Sequence, residues 1–212
     1  MTMHSIVTVT SAASVTALTT VERVKQELSI SGTASDTLLG LKIDEASSDI
    51  GAHLRRRLPR ESIAETFWGW GESREFFALD HYPVASIASV VVDDVEVPPA
   101  QYRLDRDAGL LYRLDASGYP CRWWWCKSVI VSYVGGFLLP GQDDRDLPPA
   151  LEAGAIALVQ SFWLSRGRDP LVKEEEVPGV MRVGYWVGAV GEAGELPPQV
   201  VSLISPFRRA AV

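Results

Sequence analysis

The residues able to do acid–base chemistry are few, and their settings argue against a catalytic use. Histidine occurs at positions 4, 53 and 81. Asp80-His81 is the adjacent acid–base pair, but successive residues of a strand point to opposite faces, and the Tyr82-Pro83 that follows signals a turn. His81 therefore reads as a turn histidine. His53 falls on a helical segment among polar neighbours and reads as a solvated or interface residue. Asp93-Asp94 and Asp143-Asp144 lie in turn-like segments, where paired acids keep a loop in water. Cys121 and Cys126 have no second ligand pair with zinc spacing, so they read as two reduced structural thiols, and no metal or other cofactor is expected. A Gly-x-Ser-x-Gly elbow, a Gly-rich phosphate loop ending in Lys-Ser/Thr and a His-Glu-x-x-His helix are all missing from the sequence, so no enzymatic activity is predicted.

Two features exceed ordinary packing. Trp68 and Trp70 are two apart, on one strand face, and Trp123-Trp124-Trp125 puts an indole on each face of its segment. Three uses remain open for these indoles: a protein interface, the core, or a platform on which a sugar stacks. The second feature is the terminal Ser205-Pro206-Phe207-Arg208-Arg209, in which a proline ends a helix and an aromatic follows beside two cations. It reads as an anchor, the alternative being that Phe207 folds back onto its own helices.

The charge balance narrows the partners. A net charge of −7 over 212 residues opposes a surface that neutralises many phosphates. Hydrophobic residues at 47% with charged residues at 22% place the chain among globular proteins rather than disordered ones. A chain of this length buries roughly 70% of its unfolded surface, so no disulfide framework is needed. Residues 1–20 carry no Lys or Arg, which leaves out the cationic start of a secretory signal, and no apolar run approaches the ~18 residues of a membrane span.

The elements that must position these residues follow from periodicity. Thr19-Thr20-Val21-Glu22 has the capping-box form, with the Thr19 hydroxyl and Glu22 carboxylate expected to satisfy first-turn N–H groups, and opens a helix to about Ile30. Ser35 or Asp36 then caps a longer helix with a buried face of Leu39, Ile43, Ala46, Ile50 and Leu54. Its end carries Arg55-Arg56-Arg57, favourable near the negative end of the helix dipole. From Ser62 to Phe137 the period changes to two, and strands are predicted at Ile63–Trp70, Arg74–Leu79, Ser86–Val92, Tyr102–Leu104, Leu110–Leu114 and Ser128–Val134. Helical period returns after Asp146-Leu147-Pro148-Pro149, with Leu151, Ala155, Leu158, Val159 and Phe162 buried. A charged segment from Arg166 to Glu176 reads as a loop, Val180–Val187 as a strand or hairpin arm, and Gln199–Ile204 as a short helix. The expected fold is α+β: a small α-helical bundle of three main helices plus a C-terminal helix and tail (1–61 and 138–212), with an inserted antiparallel β sandwich or barrel (62–137). Pro59 and Leu139 are then expected to lie close together.

In order and spacing these segments resemble the head-tail connector, or adaptor, proteins of long-tailed bacteriophages and of phage-like particles such as gene transfer agents. The likeness rests on Leu18-Thr19-Thr20-Val21-Glu22-Arg23-Val24-Lys25-Gln26-Glu27-Leu28 as the opening helix, on Ser35-Asp36-Thr37-Leu38-Leu39, and on Leu54-Arg55-Arg56-Arg57-Leu58. It continues in Tyr82-Pro83-Val84-Ala85-Ser86-Ile87-Ala88-Ser89-Val90 and in Val129-Ile130-Val131-Ser132-Tyr133-Val134-Gly135-Gly136-Phe137. Leu147-Pro148-Pro149-Ala150-Leu151 completes it. Residues 167–195 and the Trp123–Trp125 cluster are not part of the resemblance.

The resemblance implies a structural protein of the virion neck, assembled in the bacterial host cytoplasm. Identical subunits would form a ring, usually dodecameric, beneath the portal protein. Ser205 to Arg209 would dock on the portal, a stopper or head-completion protein would lie on the tail side, and DNA would pass without specific binding. Arg55, Arg56 and Arg57 are the expected ring contacts, and no membrane is involved. Two other readings stand beside it: a head-completion or tail-joining protein of the same assembly, and a soluble carbohydrate-binding module. A hydrolase built on Asp80 and His81 is the remaining class.

Overall fold

The computed structural model describes residues 5–68, 73–124, 126–166, 174–177, 181–184 and 196–209. The described residues divide into two compact units, one of residues 5–15 and 56–138 and the other of residues 16–55 and 139–209.

The first unit is built of β1 (Ser5–Ser11), β2 (Glu61–Trp68), β3 (Phe76–Ala78), β4 (Val84–Val92), β5 (Val95–Glu96), β6 (Tyr102–Asp105), β7 (Leu110–Leu114), β8 (Pro120–Cys121) and β9 (Ser128–Gly135). One antiparallel sheet has the order β1-β2-β9-β4-β5; a second holds β3-β7-β6, with β8 also pairing β7. Alternation decides the faces: along β9 the residues Val129, Val131, Tyr133 and Gly135 are buried and those between them are not, and β2 buries Glu61, Ile63, Glu65 and Phe67. Ile63, Phe67, Phe77, Leu79, Leu111, Trp123, Val129 and Val131 belong to one core cluster. Pro59 bridges Phe137 where the chain enters and leaves this unit.

The second unit holds α1 (Val21–Leu28), α2 (Asp36–Leu54), α3 (Pro149–Ser165), β10 (Glu174–Val177), β11 (Met181–Gly184) and α4 (Pro198–Ile204). The buried face of α2 is Leu39, Ile43, Ala46, Ile50 and Leu54, as its three-and-four spacing predicts. Apolar α3 packs against α1, α2 and α4. Gly154 allows the last of these contacts, since a Cβ there would lie 2.7 Å from Ile204 Cγ2. The cap of α1 is Thr20, whose Oγ1 accepts from the Arg23 N–H at 3.3 Å; Thr19, expected in that role, is buried one residue earlier.

The expected helical bundle with an inserted β domain is therefore corrected. The protein is mostly β, with antiparallel sheets of five and four strands and only four short helices among the described residues. Three segments make the difference. Residues 5–11, assigned from sequence to the helical body, are dominated by β-branched side chains and supply an edge strand. Part of the segment after α3 forms the β10–β11 hairpin, and α1 and α4 have only eight and seven residues.

Candidate interaction surfaces

His81 is not an exposed turn residue. It is 1% exposed, and the segment after β3 carries it across the sheet against Gly135, where a Cβ would run into the His81 carbonyl oxygen and come within 2.9 Å of its Cβ. Its ring lies 3.4 Å from Asp80 Oδ2 on one side and 3.4 Å from Glu61 Oε2 on the other, so the two adjacent residues do meet. Both approaches are longer than an ordinary hydrogen bond, and among the described residues neither ring nitrogen has a hydrogen-bond partner. Burial pushes the His81 pKa down, against the pull of Glu61. The ring is thus a neutral core group rather than an acid–base catalyst open to substrate.

Beside it lies a polar network that the chemistry-bearing motifs do not reveal. Glu65, fully buried, accepts from the Ser5 hydroxyl at 2.6 Å, the Asp80 N–H at 3.0 Å and the Tyr133 hydroxyl at 2.9 Å. The same Tyr133 oxygen accepts the His81 N–H at 3.1 Å. Burial and the Glu65 carboxylate hold the Tyr133 hydroxyl far above the usual phenol range, so it stays a donor. The signal was present in the sequence: Glu61 and Glu65 share the inward phase of Ile63 and Phe67.

The three arginines separate. Arg55 is exposed at the C-cap of α2 with φ 55°, and its N–H donates to the Ala52 carbonyl at 3.1 Å. Arg56, expected at a subunit contact, is only 7% exposed. Its guanidinium stacks over the Tyr82 ring at 3.8 Å and donates to the Tyr82 carbonyl, which makes it an interior residue of the β unit. Arg57 is exposed and reaches Glu61 Oε2 at 3.3 Å.

The tryptophans separate as well. Trp123 is core: 3% exposed, edge-on to Phe77, with its ring N–H donating to the Leu111 carbonyl at 3.1 Å. Trp124 is 78% exposed and Trp68 42%, which leaves both for surface contacts, while Trp70 and Trp125 lie outside the described residues. Trp124 and exposed Val95 stand at an open groove of about 470 Å³ that also includes Pro98, Gln101, Arg113 and Arg122. Its cations are engaged: Arg113 donates to Gln101 and Arg122 pairs with Glu75. Asp93, read as a plain loop acid, caps this region by accepting the Lys127 and Ser128 N–H groups at 2.7 and 2.9 Å.

At the C-terminal end the backbone does not break away at Pro206. Ser205–Phe207 continues from α4 as a single 3-10 turn, and the Arg209 N–H donates to the Leu54 carbonyl at the end of α2, at 3.1 Å. Ser205, Pro206 and Arg208 are exposed, whereas Phe207 and Arg209 are half-buried. Among the described residues no cluster of three or more His, Cys, Asp or Glu has the geometry of a metal site, and no helix is long and apolar enough to cross a membrane.

This pairing of a five-stranded antiparallel sheet unit with a four-helix unit is a fold found in neck chains of gene transfer agent particles. A chain from the neck of the empty particle, computed with C6 symmetry, matches at 20% identity and a TM-score of 0.59, covering 98% of this chain and 97% of that one. Chains from the neck of the native particle, computed with C12 symmetry, and from the native virion match at 18% identity with the same TM-score and coverage. No family model matches the sequence, and no curated protein does.

Proposed function

We propose that this chain is a non-enzymatic structural subunit of the neck of a phage-like particle, a head-tail connector acting in a ring of identical copies. The observation that carries the reading is the fold shared over 98% of the chain with subunits of gene transfer agent necks, computed there with C6 and C12 symmetry. The buried state of His81 and the engaged carboxylates around it support a structural role. In this reading the ring sits beneath the portal, a stopper or head-completion protein meets its tail side, and DNA passes through. The net charge of −7 suits that passage, because little counterion release would reward DNA for sticking. Exposed Arg55 and Arg57 serve as contacts between neighbouring subunits, and the exposed Ser205, Pro206 and Arg208, with Phe207 and Arg209 beside them, serve the portal. Repetition around a ring makes even a weak anchor strong.

The test is a mass measurement of the purified chain with and without a purified portal ring. A ring of the chain, alone or on the portal, is expected. A chain that stays monomeric at all concentrations and does not co-purify with portal overturns the reading. Deleting residues 205–212 is expected to abolish portal co-purification while leaving the melt of the subunit within a few degrees.

A further inference from the structure

We infer that neighbouring copies are joined by strand addition, the outer edge of β1 in one copy pairing with the outer edge of β11 in the next; the inference rests on the ring reading above. Sheet order leaves β1 at an edge, with β2 on one side and, among the described residues, no strand on the other. Such an edge offers a row of unpaired N–H and C=O groups, and sheets normally blunt it with lysine, proline, bulges or brevity. Of these, β1 has only an irregularity at its far end, where its register with β2 shifts between Val9 and Ser11. Its sequence, Ser-Ile-Val-Thr-Val-Thr-Ser, has no charge and no proline, and its register with β2 runs unbroken from Ser5↔Phe67 to Val9↔Ile63. Ile6 on its outward face is 57% exposed. The opposite edge of the same sheet is protected: β5 is two residues long, and the pairing of β4 with β9 shifts register twice.

The second unit holds the complementary element. β10 and β11 pair only with each other among the described residues, through Glu174↔Gly184 to Val177↔Met181. A lone two-stranded ribbon is marginal in water and gains independent stability from a third strand. Its edges differ: β10 reads Glu-Glu-Glu-Val and is guarded by charge, whereas β11 reads Met-Arg-Val-Gly and carries one cation. The open edge of the ribbon is therefore β11. In sequence, 32 residues separate the end of α3 from the start of α4, far more than the 2–8 that join packed helices, so the ribbon is more than a helix connection needs. Because β1 and β11 are different surfaces, the contact is heterologous and propagates from copy to copy, which is the geometry that closes rings. A second copy is accordingly the occupant of the β1 edge.

Disulfide trapping tests the contact. In a Cys121→Ser, Cys126→Ala background, one chain carries Thr8→Cys or Ile6→Cys and a second, distinguishable by mass, carries Val183→Cys. Mixed at high concentration and oxidised, they are expected to give a cross-link between the two chains, and a chain with both substitutions is expected to give a ladder of oligomers. A disulfide within a single chain, or none, overturns strand addition between copies. If rings form without the cross-link, the neck reading stands and this inference falls; if the chain is also monomeric with and without portal, both fall. Thr8→Lys, a guarding charge at an exposed position of the strand, is expected to raise the concentration needed for assembly at least tenfold with an unchanged melt. An unchanged assembly concentration counts against the contact.

Discussion

Replacing Tyr133 with phenylalanine deletes one oxygen from the β unit and disturbs two hydrogen bonds at once. Tyr133 is 1% exposed, donates to Glu65 at 2.9 Å and accepts the His81 N–H at 3.1 Å. A hydrogen bond to a charged group is worth about 1.5–3 kcal/mol, and a buried N–H left without a partner costs about 1–3 kcal/mol. Glu65 keeps the Ser5 hydroxyl and the Asp80 N–H, so the loss falls toward the lower end of the sum, at about 3 kcal/mol. With a urea m value of about 2 kcal/mol/M, the midpoint should fall by about 1.5 M. The transition is best followed by tryptophan fluorescence, because Trp123 shares the β core with Tyr133. Tyr119→Phe at a 69% exposed site is the control, expected within about 0.5 kcal/mol of the parent. Glu65→Gln alone should also destabilise, and in the Tyr133→Phe background it should cost less than alone, since the two share one bond. A Tyr133→Phe chain within about 0.5 kcal/mol of the parent would refute the network's contribution.

Acidification acts on the neighbouring histidine. Burial holds the folded His81 pKa below its ordinary 6.5, so the unfolded chain binds more protons; stability is full above about pH 6.5 and falls as the pH drops toward the folded value. The slope is at most ~1.4 kcal/mol per pH unit. His81→Asn should flatten the melt-versus-pH curve just below pH 6.5, and a curve that keeps its slope there disproves the assignment. Gly135→Ala forces a methyl onto the His81 backbone and should cost about 3 kcal/mol or prevent folding of the β unit, read by urea titration; a neutral result would mean that the crossing is looser than described. Trp124→Ala removes a 78% exposed indole and should leave the melt unchanged while weakening assembly or partner capture by at least fivefold in sedimentation; a lowered melt would instead make Trp124 a packing residue.

What the sequence discloses and withholds follows the range of the interactions involved. The buried stripe of α2 and the strands at Leu110–Leu114 and Ser128–Gly135 are legible because local period and turn residues decide them. The strand at Ser5–Ser11 is not, because its partner β2 lies some fifty residues further on and nothing local states which sheet it joins. Alternation places Trp123 and Trp124 on opposite faces, yet which of them is core depends on the Leu111 carbonyl and the Phe77 ring, both remote in sequence. His81 looks like a turn residue by its neighbours and is buried by Gly135, reached only through the tertiary fold. The three arginines are alike by charge, and it is tertiary contact with Tyr82 and Phe137 that withdraws Arg56 from the surface.

The inward carboxylates show why a sheet core would hold such groups at all. Apolar alternation on β2 specifies which face is buried, since a slip of one residue would expose Ile63 and Phe67. Phase alone does not oppose a slip of two, which keeps the same set of residues facing inward. Glu65 does oppose it. Its three donors come from β1, from β9 and from the segment after β3, and they converge on one position along β2. A two-residue slip would put Ile63 or Phe67 against those donors and strand a buried carboxylate among apolar neighbours, a loss of several kcal/mol because an unpaired buried charge costs more than its pair contributes. The network selects among registers that share one inward phase, and through the Ser5 hydroxyl it ties β1 to β2 in the register observed.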